Sequence, residues 1–195
     1  MRTLLLLLAV SASASAPCLC VFDVDRTLTG QQGSAGSACP ADKEVAGISD
    51  SAYGGGTLTL SKLAQGVSGT FCDACSLAIC SAGDASGAGS KERSYILSSV
   101  LGGSARVGGA TSWNEYGVQS GKVSSPLVVR QRDGQKQHAV KAIIAWYATS
   151  AAKPQTFAPS DVHFFDDRAD NVSPFEGTGF NAHQISCASR DTSSK

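Results

Sequence analysis

The chain has 195 residues, of which 42% are hydrophobic and 16% are charged, a composition that suits a compact globular protein and excludes a disordered one. The 16 Lys and Arg residues balance the 16 Asp and Glu residues, so no excess charge indicates a nucleic acid or a membrane surface as a partner. This length predicts one domain with room for a buried core.

Residues 1–16 have the layout of a secretory signal peptide. A positive charge is followed by a short apolar run over residues 4–10 and then by small residues with Ala-x-Ala spacing. The run is too short to span a bilayer, and no later stretch approaches the roughly 18 apolar residues that a membrane helix needs. We expect a cleaved leader, with a cut after Ala14 favoured because Pro17 follows Ala16, and a secreted or luminal protein without a membrane anchor.

Three short apolar runs are typical of strands that are buried on both faces of a parallel sheet. They span residues 18–22, 76–80 and 162–165. Weaker patterns predict further strands over residues 126–130 and 183–187.

Apolar residues spaced three and four positions apart predict three helices. The clearest spans residues 136–150, a second follows a capping serine over residues 90–101, and a third covers residues 58–67. The Gly-rich segments 30–56 and 102–121 are predicted to be loop insertions.

Strands and helices alternate along the chain, which predicts one α/β domain over residues 17–190 with a mostly parallel sheet. Residues 191–195 are polar, and we expect them to form a disordered tail. In open α/β sheets, ligands bind beyond the carboxyl ends of the strands. The residues that follow the predicted strands are therefore the candidates for a functional site.

Those residues are predominantly acidic. They are Asp23, Asp25, Ser81, Asp166 and Asp167. Several carboxylates in one small site repel one another and raise each other's pKa, a cost that a bound divalent cation removes. Hard oxygen ligands without a nearby His or Cys favour Mg²⁺ over zinc, so the sequence predicts a magnesium site.

Four motifs resemble those of the haloacid-dehalogenase-like phosphatases and occur in the same order. Residues 21–29 resemble the first motif, an apolar strand followed by Asp-x-Asp-x-Thr, and residues 77–81 resemble the second, an apolar strand that ends in Ser or Thr. Lys136 opens a helix, as the lysine of the third motif does, and residues 164–170 resemble the acidic fourth motif. The resemblance spans residues 18–187, although only these motifs carry it.

The resemblance implies a Rossmann-like three-layer fold with a minimal cap and a magnesium-dependent phosphohydrolase acting on phosphate monoesters. Asp23 would be the nucleophile that forms an aspartyl-phosphate, and Asp25 would be the general acid and base. Ser81 and Lys136 would bind the phosphoryl group, and Lys136 would also offset its negative charge.

The metal ligands implied by the resemblance are the Asp23 carboxylate, the Asp25 main-chain carbonyl and a carboxylate of the fourth motif. Asp166 is the first choice for that last ligand, because its spacing of four residues before Asp170 fits the common Asp-x-x-x-Asp form, and Asp167 is the alternative. Either residue follows directly from the apolar strand, and the sequence leaves the choice open.

Two further residues are assigned supporting roles, Thr27 in the turn after the first strand and Asp170 at the end of the fourth motif. The lysine of the third motif is also open to alternatives. Lys136 is favoured because a helix start faces the site, while Lys141 lies one turn further along the same helix and Lys153 is a weaker choice.

The expected partner is a phosphorylated small molecule, glycan or phosphoprotein, because a minimal cap suits substrates that themselves exclude water. Two alternatives remain: a catalytically inactive relative that binds a partner, and another phosphotransfer reaction of the same superfamily. The seven cysteines after the leader favour disulfides in a secretory compartment, with an odd thiol left over. Zinc at Cys72 and Cys75 is disfavoured, since no second ligand pair completes the site.

Overall fold

The computed structural model of the protein describes residues 17–30 and 39–185. The predicted signal peptide and the predicted tail lie outside the described residues. Seven strands are present in this part of the chain: β1 (Leu19–Phe22), β2 (Lys43–Asp50), β3 (Gly56–Leu60), β4 (Ser76–Cys80), β5 (Leu127–Val128), β6 (Val162–Asp166) and β7 (Asn181–Gln184). Five of them form a parallel sheet in the order β5-β4-β1-β6-β7, which confirms an α/β architecture.

Strand β1 lies at the centre of this sheet, and all four of its side chains are fully buried. Successive residues point to opposite faces of a strand, so Leu19 and Val21 enter one core layer while Cys20 and Phe22 enter the other. Because both faces are covered, β1 is apolar without alternation, as its sequence predicts.

Helix α2 (Lys136–Thr149) covers the first face of the sheet, where its residues Ala139, Val140 and Ile143 pack beside β1. On the other face lies α1 (Lys91–Tyr95), which continues as a π-helix over Ile96–Val100. A short third helix, α3 (Ala169–Val172), follows β6. Both longer helical predictions are confirmed. The predicted cap is confirmed too, because the Ser90 side chain accepts a hydrogen bond from the backbone N–H of Arg93.

The predictions for residues 30–56 and 58–67 are wrong, because β2 and β3 form an antiparallel hairpin there. Leu58 and Leu60 both enter the core from β3, at the two-residue spacing of a strand. Leu60 is also followed by apolar residues at helical spacing, and this spacing led to the incorrect helix prediction. The hairpin is attached to the turn after β1, because Gly30 N–H donates to Thr59 O at 2.7 Å and Ser61 N–H to Leu28 O at 2.9 Å.

Two disulfides join the start of β1 to the segment before β4. They link Cys18 to Cys75 and Cys20 to Cys72, with Cα–Cα distances of 4.6 and 5.9 Å. Cys72 and Cys75 are therefore not available to zinc. Cys39 is also disulfide-bonded, and Cys80 is a buried free thiol, as the odd number of cysteines requires.

Candidate metal and phosphate site

The site lies at the carboxyl edge of the parallel sheet. Asp23 follows β1 directly, Asp166 ends the neighbouring strand β6, and Ser81 follows β4 on the other side. Backbone hydrogen bonds continue the sheet to this edge, since Asp23 N–H donates to Phe165 O at 2.9 Å. The order in which strands are added to the sheet reverses beside β1, since β4 lies on one side of it and β6 on the other. Open α/β sheets bind ligands at such a switch point.

Lys136 is buried in the centre of the site. Its Nζ lies 2.6 Å from Asp23 Oδ1 and 2.6 Å from Asp166 Oδ2, and its side chain is 1% exposed. The first turn of α2 places it there, because that helix begins at the same edge of the sheet. Lys141 and Lys153 are exposed, so the geometry favours Lys136 among the three lysine candidates.

Three donors in all hold the carboxylate of Asp166. Its Oδ1 accepts hydrogen bonds from Arg168 N–H at 2.9 Å and from Asn171 Nδ2 at 3.1 Å, while Lys136 donates to its Oδ2. Asn171 is fully buried and also donates to Asp133 Oδ1 at 2.9 Å. Asp166 is therefore fixed in position by donors at both of its oxygens.

The pKa values of Asp23, Asp166 and Lys136 reflect the effect of burial and the opposing effect of the charges on one another. Burial raises the pKa of Asp23, and Lys136 opposes that rise. Burial, followed by repulsion from Asp23, raises the pKa of Asp166 to about 7. Burial acts to lower the pKa of Lys136, but Asp23 and Asp166 raise it overall, so the amine stays charged at neutral pH.

Asp167 completes a group of three carboxylates with Asp23 and Asp166. One oxygen from each residue lies within 4.8 Å of the others, and all three side chains are buried. This set contains only hard oxygen ligands, which fit Mg²⁺ or another hard divalent cation. Three carboxylates against the positive charges of Lys136 and Arg26 still leave negative charge for such a cation to neutralise.

Two threonine hydroxyl groups form hydrogen bonds within the turn after β1. Thr27 is fully buried and its hydroxyl donates to Asp23 Oδ2 at 3.4 Å. Thr29 Oγ1 accepts from Arg26 N–H at 3.1 Å. Arg26 adopts a left-handed φ of 67°, and its Nε lies 3.7 Å from Asp167 Oδ2.

Asp25 reaches the hairpin and α1, where one of its carboxylate oxygens lies within 4.8 Å of oxygens of Asp50 and Glu92. It lies against Gly83, where an added Cβ would come within 2.0 Å of Asp25 Oδ2, so glycine is required for this approach. Burial, followed by repulsion from Asp23, Asp50 and Glu92, raises the pKa of Asp25 to about 8. Asp25 is therefore protonated at neutral pH, the state that a general acid needs.

The Ser81 hydroxyl is fully buried close to Asp23. Burial raises the pKa of the Asp23 carboxyl, and Ser81 opposes that rise more weakly than Lys136 does. It makes no hydrogen bond of good geometry to any described residue, so it can still donate to a bound anion. Asp170, the other residue with a predicted supporting role, lies at the surface. Its side chain is 54% exposed and pairs with Arg168 at 2.6 Å, because α3 turns it toward solvent.

Three residues of the site were missed from the sequence: Asn171, Asp50 and Glu92. Asn171 stands four residues after Asp167, just as Asp170 stands four residues after Asp166. In the short helix α3, only one of these two positions can face the site. The residue types gave no reason to prefer the asparagine over the aspartate. No local pattern marks Asp50 or Glu92, which reach the site only through the hairpin and α1.

Comparisons with known proteins identify no relative. No family model matches the chain, and no curated protein or solved structure matches it. Among the described residues, no helix is both long and apolar enough to cross a membrane. The functional argument therefore depends on the site itself.

Proposed function

We propose that the chain is a magnesium-dependent phosphomonoesterase with a Rossmann-like, haloacid-dehalogenase-like fold, acting through an aspartyl-phosphate on Asp23. The observation that carries this proposal is the buried lysine between Asp23 and Asp166 at the carboxyl edge of the sheet. A buried ammonium beside a carboxylate nucleophile provides the charge stabilisation that phosphoryl transfer requires.

The reaction has two steps in this proposal. The Asp23 carboxylate attacks phosphorus, the bond from phosphorus to the leaving oxygen breaks, and Asp25 gives its proton to that oxygen. Water then attacks the phosphorus of the aspartyl-phosphate, Asp25 takes up a proton from it, and the bond to Asp23 breaks to release inorganic phosphate. The raised pKa of Asp25 and its position two residues after Asp23 support both roles.

Magnesium would be held by the carboxylates of Asp23 and Asp167 and by the Asp25 main-chain carbonyl. The ion would supply positive charge beside the phosphoryl oxygens. The hydrogen bonds favour Asp167 over Asp166 as the ligand, because both oxygens of Asp166 already accept bonds from Lys136, Arg168 and Asn171. In this arrangement Asp166 positions Lys136, and Ser81 donates to the phosphoryl group.

The proposed compartment is the secretory pathway. The two disulfides at the start of β1 support it, since disulfides persist mainly in oxidising compartments. The proposed substrates are phosphorylated small molecules, glycans or phosphoproteins, because the hairpin is the only cap-like element beside the site in the described part of the chain.

The test is hydrolysis of p-nitrophenyl phosphate by the mature chain, with Mg²⁺ and with a chelator. We expect magnesium-dependent turnover and a loss on the order of 10⁴-fold in Asp23→Asn. The exposed aspartate variant Asp73→Asn is the matched control and should keep full activity. Acid-quenched wild-type enzyme should carry phosphate on Asp23. Equal turnover by Asp23→Asn would refute the mechanism, and no turnover on any phosphate ester would favour a binding protein.

A further inference from the structure

The turn of the hairpin lies beside the proposed general acid. One carboxylate oxygen of Asp25 lies within 4.8 Å of an oxygen of Asp50, the last residue of β2. A 3₁₀ turn over Ala52–Gly54 begins two residues after Asp50. In the proposed reaction Asp25 gives its proton to the leaving oxygen, so the leaving group lies on the side of the site that this turn borders.

Arg26 connects the hairpin turn to the metal and phosphate site. Its guanidinium carbon lies 5.3 Å from the centre of the Tyr53 ring, in a cation–π contact, and its Nε lies 3.7 Å from Asp167 Oδ2. Asp167 in turn has a carboxylate oxygen within 4.8 Å of an oxygen of Asp23. The Tyr53 ring is therefore held next to the site, one arginine side chain away from a proposed metal ligand.

Tyr53 is presented to solvent by a turn whose backbone is fixed. The residue is 64% exposed although its ring contacts Arg26. Hydrogen bonds hold the turn on both sides, because Ser51 N–H donates to Ser86 Oγ at 2.9 Å and Ala52 N–H donates to Asp50 Oδ1 at 2.8 Å. The Tyr53 backbone adopts left-handed angles of φ 49° and ψ 36°, which are uncommon for a bulky residue. Such backbone strain is concentrated at functional sites, where surrounding contacts maintain it.

We propose that Tyr53 and Arg26 form the subsite for the leaving group, and that the preferred substrates are aryl phosphates, in which the phosphate is bonded through oxygen to an aromatic ring. An aromatic ring is attracted to a tyrosine ring in offset or edge-to-face geometry, and its face is attracted to a guanidinium cation. Alkyl and sugar groups have no π-system with which to make these contacts. The inference rests on the proposed function, because it identifies the leaving group of that reaction.

The experiment measures steady-state kinetics of the mature chain with Mg²⁺ on phenyl phosphate and on n-propyl phosphate. Tyr53→Leu should raise KM for phenyl phosphate about 5-fold, because it removes the ring contact. Its kcat should stay unchanged, since a contact made equally in the bound substrate and in the transition state affects binding alone. KM for n-propyl phosphate should not change. An equal rise in KM for both esters would overturn the subsite.

Two variants serve as controls. Tyr53→Phe keeps the ring and should retain the wild-type KM for phenyl phosphate, since stacking needs no hydroxyl. Tyr116→Leu is the matched control, because Tyr116 is 68% exposed and also lies over an arginine, with Arg130 Cζ 6.0 Å from its ring centre. Arg130 pairs with Asp84, so Tyr116→Leu should leave both KM values unchanged. A rise for phenyl phosphate in Tyr116→Leu but not in Tyr53→Leu would contradict the assignment of Tyr53.

A binding measurement that needs no turnover separates this inference from the proposed function. In calorimetric titrations with Mg²⁺, the wild type should bind phenylphosphonate about 5-fold more tightly than n-propylphosphonate, and Tyr53→Leu should bind both equally. Phosphatase activity with equal affinities in the wild type would overturn the subsite and leave the proposed function standing. A preference that depends on Tyr53, without hydrolysis of any ester, would support the subsite and refute the mechanism. Binding of neither phosphonate would overturn the subsite.

Discussion

Two buried acidic groups lie side by side in this protein, and they differ in how their charge is balanced. Around Asp23 and Asp166 the chain supplies its own cation, Lys136, and fills both oxygens of Asp166 with donors. Around Asp25 and Glu92, two carboxylate oxygens accept no hydrogen bond from the described residues. The contrast indicates that Lys136 and the donors around Asp166 balance much of the charge of the first group, whereas the second group depends on protonation of its carboxyl groups.

The largest expected effect comes from removing the internal cation. Lys136→Met should lower the free energy of unfolding by about 3–5 kcal/mol, because it leaves two buried carboxylates uncompensated. It should also lower kcat by at least about 10²-fold. Urea denaturation and the phosphatase assay measure both effects.

The control for that variant is Lys141→Met, on the exposed side of the same helix. It should change stability by less than about 0.5 kcal/mol. Equal losses of stability in the two variants would mean that the ion pairs of Lys136 do not stabilise the protein.

A smaller effect is expected from the amide that fixes Asp166. Asn171→Ala should lower the free energy of unfolding by about 1–3 kcal/mol, because Asp166 and Asp133 each lose a buried donor. Its neighbour Asp170→Asn should have little effect, since Asp170 is exposed. Denaturation of the two variants in parallel tests whether Asn171 or Asp170 belongs to the site, and a larger loss in Asp170→Asn would reverse our assignment.

The smallest effect concerns the second group and depends on pH. Burial, followed by repulsion from Asp50, raises the pKa of Glu92 from 4.5 to about 7. The folded chain then binds more protons than the unfolded chain between these values, so this contribution to stability is present below about pH 4.5 and is lost as pH rises through 7.

Glu92→Gln removes that dependence. With a chelator present, the variant should exceed the wild type in stability by about 1–2 kcal/mol at pH 8, and the difference should vanish near pH 4.5. Thermal unfolding of both proteins across this pH range measures the difference in stability. A wild type whose stability rises between pH 5 and 8 relative to Glu92→Gln would contradict this account.

Much of the sheet was predictable, because burial on both faces produces short apolar runs. Strands β1, β4 and β6 and helix α2 lie where their patterns predict them. The hairpin was not predictable from the same signal. Its first strand, β2, has mostly exposed or partly exposed side chains, so it has no apolar pattern from which a strand could be recognised.

The acidic site was predictable only in part. Asp23, Asp166 and Asp167 follow strands whose parallel pairing brings their ends together, so strand patterns alone place them at one edge. The role of Asn171 was not predictable. Helix α3 has only four residues, which are too few for a periodic pattern to show whether residue 170 or residue 171 faces the site.

By itself, the sequence determined the α/β class, the strand ends that carry Asp23 and Asp166, and the helix that begins at Lys136. These features follow from local spacing and burial, which neighbouring residues encode. Only the tertiary structure decided that Lys136 reaches Asp23, 113 residues away, and that Asp50 and Glu92 meet Asp25. Such contacts depend on strand order and on the docking of the hairpin, which no local pattern specifies.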